Sequence, residues 1–517
     1  MSLDKKFLLK ALLQYNYFPS QKKEKEEVPP ILNSKCLTPE ISEELIKLDN
    51  RKNGYDQVEY KLTRYNNVPR SFNIPHPLPY ARLCHSLHEN WENIEYILQT
   101  ENSLAIPEKY KDGRIIIMDY EKSKKQIERH IKLSFNKKFY VNADISNFYP
   151  SIYSHSISWA LVGFEKAKEG WNDKNEWFNQ IDKYQRSTKR NETNGIPIGP
   201  ATSNIIAELI LARIDKKLKD EKFVFIRFID DYTAYVDTYG KAEDFIRRLS
   251  EELSRYKLLL NIKKTFIEQL PSPASSEWMV DLTTRIPDKG NISPTNILRF
   301  LDYAVTKQAM SPDGSILKYA AKTIIKYDVE DDTAELILRY LLSLCIKYPI
   351  LLPLLDILFG KISFDSGFPY TDQLLMILKE HAINKRSDAM TWSLYYLNDF
   401  SQPIPKEIAE NAIKSEDCIS ILFLYLSEQY DDEIIAFCDN LYKSDLFTLD
   451  QYWLLLYQLF FDRKITNPYN NDKTAYNNHL KSKADTPENA MDREIQVFNT
   501  LKSNGVSFIE SRARTIA

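Results

Sequence analysis

The chain has 517 residues, 43% of them hydrophobic, which is enough for two or three domains with sizeable cores. Its net charge of −3 provides no overall basic field of the kind that attracts nucleic acid. Five scattered cysteines argue against a zinc site or a disulfide framework and suit a reducing cytoplasm, and the sequence predicts neither a signal peptide nor a membrane span.

The first 65 residues are predicted to form a charged helical extension. Beyond it, an apolar strand at residues 140–144 runs into a single acid, Asp144, and an aromatic pair that includes Tyr149 follows. A lone acid at the end of a strand carries little information. It becomes a candidate metal ligand once further carboxylates are placed beside it.

The next motif is a glycine turn that leads into a helix. Residues 195–204 read Gly-Ile-Pro-Ile-Gly-Pro-Ala-Thr-Ser-Asn, and apolar residues at helical spacing follow. Pro200 is predicted as the first helical residue, and the small residues beside Gly199 would let a base or a sugar approach the helix closely. An ordinary junction between a loop and a helix explains the same pattern.

Two adjacent acids, Asp230 and Asp231, lie between two apolar runs at residues 223–226 and 232–236. This pattern predicts a tight β-hairpin with both carboxylates at its tip. A solvated turn is the alternative interpretation of the hairpin taken alone. With Asp144 on a neighbouring strand, however, three acids can hold two Mg²⁺ ions roughly 3.5–4 Å apart, the arrangement used for in-line displacement at phosphorus.

A lysine, Lys264, follows a predicted short strand at residues 258–260. It could reach a triphosphate and protonate the leaving group, although a lone lysine in such a place is more often a solvated surface residue.

The order and spacing of these four motifs resemble the palm of a reverse transcriptase. Residues 144–155, residues 195–203 and the fingers segment 74–82 are similar to the abortive-infection reverse transcriptases of bacteria, of the AbiK and AbiA kind, including prophage-encoded members. The resemblance covers residues from about 70 to 270. Two departures stand out: Ile198 replaces the glutamine that many reverse transcriptases carry before the motif's glycine, and Phe228 replaces a tyrosine.

The resemblance assigns roles to individual residues. It implies metal binding by the three acids and by the backbone carbonyl of Ile145, exclusion of a ribose 2′-hydroxyl by Tyr149, and a catalytic role for Lys264. It further implies a set of substrate-binding residues. That set comprises Ile145, Tyr149, Gly199, Arg82, which would hold the triphosphate, and Arg227. The implied cofactor is Mg²⁺ in a two-metal site, with Mn²⁺ as a substitute.

The predicted fold class is α+β, with reverse transcriptase fingers and palm at residues 66–270, a linker at residues 271–294, and an all-α domain at residues 295–517. Amphipathic helical patterns recur in the last region about 30–40 residues apart, which predicts a HEAT-like stack of helical hairpins. No conventional thumb is recognisable in the sequence. The eight predicted helices are 295–308, 315–326, 333–347, 371–383, 406–414, 419–427, 432–442 and 449–461.

These features predict a cytoplasmic, Mg²⁺-dependent DNA polymerase, and the resemblance implies that it acts in anti-phage defence. The resemblance implies untemplated synthesis from dNTPs, primed by a protein tyrosine, with single-stranded DNA attached to the protein and a ring of subunits, trimeric or hexameric. The alternatives are an RNA-templated reverse transcriptase and a catalytically silent nucleic-acid-binding scaffold. Candidate priming residues near the N-terminus are Tyr15, Tyr17, Tyr55 and Tyr60.

Overall fold

A computed structural model describes residues 3–24, 27–49, 51–64, 68–118, 123–288, 293–311, 315–364, 367–470 and 487–510. Helices and strands are mixed within the chain, as the predicted α+β class requires. None of the described helices combines the length and the apolar character needed to cross a bilayer.

Within the residues that the structure describes, six strands form two antiparallel sheets. They are β1 (Gln57–Leu62), β2 (Arg70–Pro75), β3 (Phe139–Asp144), β4 (Phe225–Phe228), β5 (Asp231–Val236) and β6 (Phe266–Gln269). Strands β1 and β2 pair with each other, and the other four form a sheet in the order β4-β5-β3-β6. The second sheet is the palm, since the predicted acidic motifs lie on its two central strands.

Buried and partly exposed residues alternate along the central strand β3, which gives the palm sheet two different faces. Val141 and Ala143 are fully buried on one face, which packs on the amphipathic helix of residues 239–255. Tyr140 and Asn142 point to the other face and are only partly buried. The palm therefore has one core face and one open face, and Asp144 lies at the end of the open side.

Helices surround the palm and build the fingers. They are α1 (Lys5–Gln14), α2 (Pro39–Lys47), α3 (Pro77–Glu89), α4 (Trp91–Ile94), α5 (Ser123–Ser134), α6 (Phe148–Ser151), α7 (Ser156–Val162), α8 (Phe164–Glu169), α9 (Trp177–Ser187), α10 (Ala201–Asp220), α11 (Tyr239–Arg255) and α12 (Glu277–Thr283). Helix α10 carries the predicted apolar stripe and is buried along most of its length. Pro200 is its N-cap residue, so the helix begins at Ala201, one residue later than predicted.

The remaining described helices follow the predicted pattern closely. They are α13 (Pro294–Met310), α14 (Ile316–Ile324), α15 (Asp331–Cys345), α16 (Leu352–Phe359), α17 (Thr371–Ile383), α18 (Ser387–Asp399), α19 (Lys406–Lys414), α20 (Cys418–Tyr425), α21 (Asp431–Leu441), α22 (Leu446–Gln451), α23 (Trp453–Phe461) and α24 (Pro487–Ser503). Helices α16 and α18 were not predicted, because α16 is apolar on most sides and α18 is almost entirely buried, so neither shows a clear polar face. The single helix predicted at 449–461 is divided into α22 and α23 at Tyr452.

The N-terminal segment and the C-terminal helices are packed together. Leu32 forms an isolated β-bridge with Ile509, and the indole of Trp453 donates a hydrogen bond to the carbonyl of Ile74 on β2. Strand β1 packs on α18, α20, α22 and α23. The HEAT-like stack and the domain boundaries stay predictions, but the two ends of the chain share one hydrophobic core with the fingers.

Candidate active site

The two acidic motifs meet at one end of the palm sheet. Strands β4 and β5 form the predicted hairpin, in which Phe228 pairs with Asp231 and only Ile229 and Asp230 make the turn. Asp144, the last residue of β3, is the register partner of Asp231. A backbone hydrogen bond of 3.2 Å from Ile145 N to the carbonyl of Asp230 ties the strand end to the hairpin tip. The hairpin and the strand are thus confirmed, and all three acids lie at one edge.

These acids repel one another. Partial removal from water raises the pKa of Asp230, and the negative charge of Asp144 raises it further. The pKa of Asp231 is also raised, by the same loss of water and by the carboxylates of Asp230 and Asp144. Negative charge is therefore concentrated here beyond what the neighbouring protein groups neutralise, and a bound cation would relieve it.

Lys264 supplies one positive charge to this edge. Its ammonium lies 2.9 Å from a carboxylate oxygen of Asp144, and this hydrogen bond raises the pKa of the lysine. The side chain is 63% exposed, so it can swing away at little cost. Lys264 lies in a short 3-10 turn, Ile262–Lys264, and the strand β6 follows it, whereas the sequence had predicted a strand before it.

The donor set has the chemistry that Mg²⁺ prefers, hard carboxylate oxygens from a few residues with room for water and phosphate. The side chains do not, however, surround a common point. Among the residues that the structure describes, no group of three or more His, Cys, Asp or Glu is arranged to hold a metal ion. Lys264 instead contacts Asp144, so metal binding would need this lysine to move away from that carboxylate.

Arg227 was predicted to bind substrate, but its side chain is fully buried under the hairpin and is bonded to neighbouring protein groups. Its guanidinium donates to Glu208 at 2.8 and 2.9 Å and to Asp215 at 2.7 to 3.2 Å. It also donates to the carbonyl of Ile229 at 2.9 Å. Ile229 has a φ of +56°, which a β-branched residue rarely adopts, so Arg227 holds a strained turn immediately before Asp230.

Of the residues assigned to the nucleotide, Tyr149 lies close to the acids. Tyr149 is buried, and its phenol oxygen accepts a hydrogen bond of 2.9 Å from the side chain of Asn204 on α10. Burial raises the pKa of Tyr149, and the charge of Asp230 raises it further, which places the ring close to the acidic edge. Gly199 has a φ of +129°, and a Cβ there would meet a side-chain carbon of Pro19 at 3.0 Å. Its smallness therefore serves packing against the N-terminal segment.

Arg82 lies away from this edge. On helix α3, its guanidinium donates to the backbone carbonyls of Ile46 at 2.8 Å and of Leu48. Those contacts fix the C-terminal end of α2, and they do not point the side chain at a triphosphate. The predicted substrate role of Arg82 is thus not supported by its position.

Arg70 on β2 is the cation that the sequence did not single out. Burial raises the pKa of both Asp230 and Tyr149, and the positive charge of Arg70 opposes that rise in each. Arg70 is only partly buried, and its guanidinium also lies 5.5 Å from the centre of the Phe72 ring. No spacing rule marked it, because it lies on β2, in a different sheet from the strands that carry the acids.

Comparison with known proteins gives the same identification of the palm. Residues 73–301, less than half of the chain, match the family model described as reverse transcriptase (RNA-dependent DNA polymerase). No curated protein matches the sequence.

Among solved structures, the chain is similar to apo telomerase from Candida tropicalis truncated from its C-terminal domain, at 10% identity and a TM-score of 0.29, covering 46% of this chain and 56% of that one. It is also similar to telomerase from Candida albicans in complex with a fragment of telomeric RNA, at 11% identity and a TM-score of 0.28, covering 73% and 66%. The chain thus spans little more than half of the first of these proteins, and TM-scores this low do not bear on function. The family match, together with the acidic edge of the palm, leads to one conclusion: the chain contains a reverse transcriptase domain.

Proposed function

We propose that this protein is a DNA polymerase that transfers deoxynucleotides through the acidic edge of its palm. The observation that carries the proposal is the convergence of Asp144, Asp230 and Asp231 at adjoining strand ends, where burial and then the charges of their neighbours raise the pKa of Asp230 and Asp231. Partly buried carboxylates that no neighbouring group neutralises destabilise the fold unless they bind cations. Their presence at this edge therefore favours a catalytic site that binds metal ions.

Each residue has a role in this reaction. The three acids, with the backbone carbonyl of Ile145, would hold Mg²⁺, which when bound activates the attacking hydroxyl and stabilises the departing pyrophosphate. Arg70 would hold the triphosphate, and Lys264 would protonate the leaving group once its ammonium moves from Asp144. The Tyr149 ring would fill the space of a ribose 2′-hydroxyl and favour deoxynucleotides.

The finer proposal is untemplated synthesis that starts on a tyrosine hydroxyl, in anti-phage defence, by a ring of subunits. Its support is the resemblance of the motifs to abortive-infection reverse transcriptases. Among the four candidate N-terminal tyrosines, Tyr17, Tyr55 and Tyr60 have no exposed surface, whereas Tyr15 is only partly buried. Asn16, the next residue, accepts a backbone hydrogen bond of 2.9 Å from Ala201 at the start of α10. Tyr15 is therefore the first of the four to test as a primer.

RNA-templated synthesis is the second candidate function. The observation that favours it is the match of residues 73–301 to a family described as RNA-dependent DNA polymerases.

One experiment separates these functions. Purified protein is incubated with Mg²⁺ and each labelled dNTP, without template or primer, and the products are run on a denaturing gel before and after protease treatment. Label that migrates with the protein and is released by protease supports self-primed synthesis, and loss of that label in Tyr15→Phe would identify the primer. Label that depends on added RNA and primer supports templated synthesis, and no label under either condition contradicts both.

A further inference from the structure

A glutamine from the N-terminal segment occupies the neighbourhood where the palm motif lacks one. The Nε2 of Gln21 donates to the carbonyl of Gly199 at 2.7 Å and to the side-chain oxygen of Asn204 at 2.6 Å. Gln21 and Asn204 are each 5% exposed. These contacts span 178 and 183 residues of sequence, so only the fold brings the amide to this position.

The hydrogen bonds run in one direction from Gln21 to Tyr149. Because the oxygen of the Asn204 amide accepts from Gln21, its nitrogen points the other way and donates to the phenol oxygen of Tyr149 at 2.9 Å. All three side chains are buried, and in a low-dielectric interior such a chain of hydrogen bonds fixes orientation strongly. The position of the Tyr149 ring therefore depends on an amide outside the palm.

The segment that carries Gln21 is itself held in place. Arg114 donates to the carbonyls of Ser20 at 2.5 Å, Lys22 at 2.6 Å and Lys23 at 3.0 Å. The backbone N–H of Met118 donates to the carbonyl of Gln21 at 2.7 Å. Both flanks of Gln21 are thus anchored, which makes its side chain a fixed reference point and not a mobile cover.

We propose that Gln21, acting through Asn204, positions the Tyr149 ring and thereby sets the discrimination between deoxynucleotides and ribonucleotides. This inference rests on the proposed polymerase function. Gln21 touches neither nucleotide nor metal in this account, so it is a positioning residue. A ring that is free to tilt would leave room for a 2′-hydroxyl. The kcat/KM for ribonucleotides would then rise by more than the kcat/KM for deoxynucleotides falls.

The test compares the ratio of kcat/KM for a dNTP to that for the matching rNTP in wild-type protein and in Gln21→Met. Methionine keeps the length of the side chain but cannot donate a hydrogen bond. We expect the ratio to fall by about 3-fold to 10-fold, the effect of losing the one buried hydrogen bond that links Gln21 to Asn204 and so to the Tyr149 ring. Gln14→Met is the matched control, because Gln14 lies in the same segment but donates to the carbonyl of Lys35.

A merely structural role gives a different result. If Gln21 only stabilises the segment, both nucleotides lose kcat/KM by the same factor and the ratio stays at the wild-type value, which overturns the proposal. Tyr149→Phe keeps the ring and removes only the hydroxyl, so it tests the same link even if Gln21→Met does not fold. An unchanged ratio in Tyr149→Phe also overturns the proposal.

The double variant Gln21→Met/Tyr149→Phe tests whether the two residues act in series. We expect the dNTP-to-rNTP ratio of the double variant to be no lower than the lower of the two single-variant ratios. If the two single losses in this ratio instead add up in the double variant, action through Asn204 is overturned. Wild-type protein that incorporates neither nucleotide would overturn the proposed function and this inference with it, whereas incorporation with the ratio unchanged in the variants overturns the inference alone.

Discussion

Replacing Arg227 with methionine should loosen the core beneath the acidic hairpin. The change leaves the carboxylates of Glu208 and Asp215, both buried, without the guanidinium they share. Breaking a buried ion pair by removal of one partner costs about 3–5 kcal/mol, and we expect the upper part of this range because two acids lose their cation. The carbonyl of Ile229 also loses a donor, so the turn before Asp230 should relax.

Hydrogen–deuterium exchange measures the loss of stability around Arg227 locally. A local measurement is needed because so long a chain need not unfold in one step. A loss of 3–5 kcal/mol corresponds to amide exchange in α10, β4 and β5 that is faster by roughly two to three and a half orders of magnitude. Peptides from α19, remote from the ion pair, serve as the internal control. The neutral combination Arg227→Met/Glu208→Gln/Asp215→Asn should recover much of the protection, because no buried charge is then left unpaired. Protection in Arg227→Met within about 1 kcal/mol of wild type, or no recovery in the triple variant, would refute this reasoning.

Three further predictions concern other groups of the site and the core. Lys264→Met should lower kcat for nucleotide addition by roughly 10²-fold or more in single-turnover assays, because the leaving group loses its acid. Arg70→Gln should raise the KM for dNTPs by about 10-fold to 100-fold in steady-state kinetics, the effect of losing a charged hydrogen bond. Burial, and then the nearby Arg386, lower the pKa of His381 to about 4, so this ring is neutral in the folded protein and protonated once unfolded in acid. Stability should therefore fall as pH drops from about 6.5 toward 4, and His381→Gln should flatten the fall in melting temperature over that range.

Each of these predictions has a control or a contradicting result. Lys263 is the exposed neighbour of Lys264, and Lys263→Met should leave kcat unchanged. Arg255 on α11 is exposed, and Arg255→Gln should leave the KM for dNTPs unchanged. An equal fall in kcat for Lys264→Met and Lys263→Met, or an equal rise in KM for Arg70→Gln and Arg255→Gln, would mean that general surface charge is responsible and not the named side chain. For His381, a melting temperature that falls equally with acid in wild type and His381→Gln would show that other groups set the pH dependence.

The local features of the palm were predictable from sequence because they rest on short-range patterns. Apolar alternation predicts β3, and two acids between apolar runs predict the hairpin, since both depend on neighbours in the chain. The role of Arg227 was not predicted, although one signal existed. Glu208 and Asp215, seven residues apart on the largely buried helix α10, lie on one face and require a buried cation.

Residues that reach the site through the fold left no such signal. Arg70 reaches the acids on a strand whose partner is β1, and Gln21 crosses 178 residues to reach Gly199. The same limit applies to α18, whose buried surroundings remove the polar face that marks a helix in sequence. Spacing patterns in the sequence report the periodicity of a single helix or strand. The positions of Arg70 and Gln21 and the burial of α18 depend instead on contacts with other elements.

The most direct test of the central claim is incorporation of labelled dNTPs by Asp230→Ala. Asp237→Ala is the matched control, since Asp237 lies just beyond the far end of β5 and pairs with Lys137 at 2.8 Å. If the acidic edge is the active site, Asp230→Ala incorporates no label while Asp237→Ala incorporates it at the wild-type rate. Incorporation at the wild-type rate by Asp230→Ala would contradict the assignment of the site.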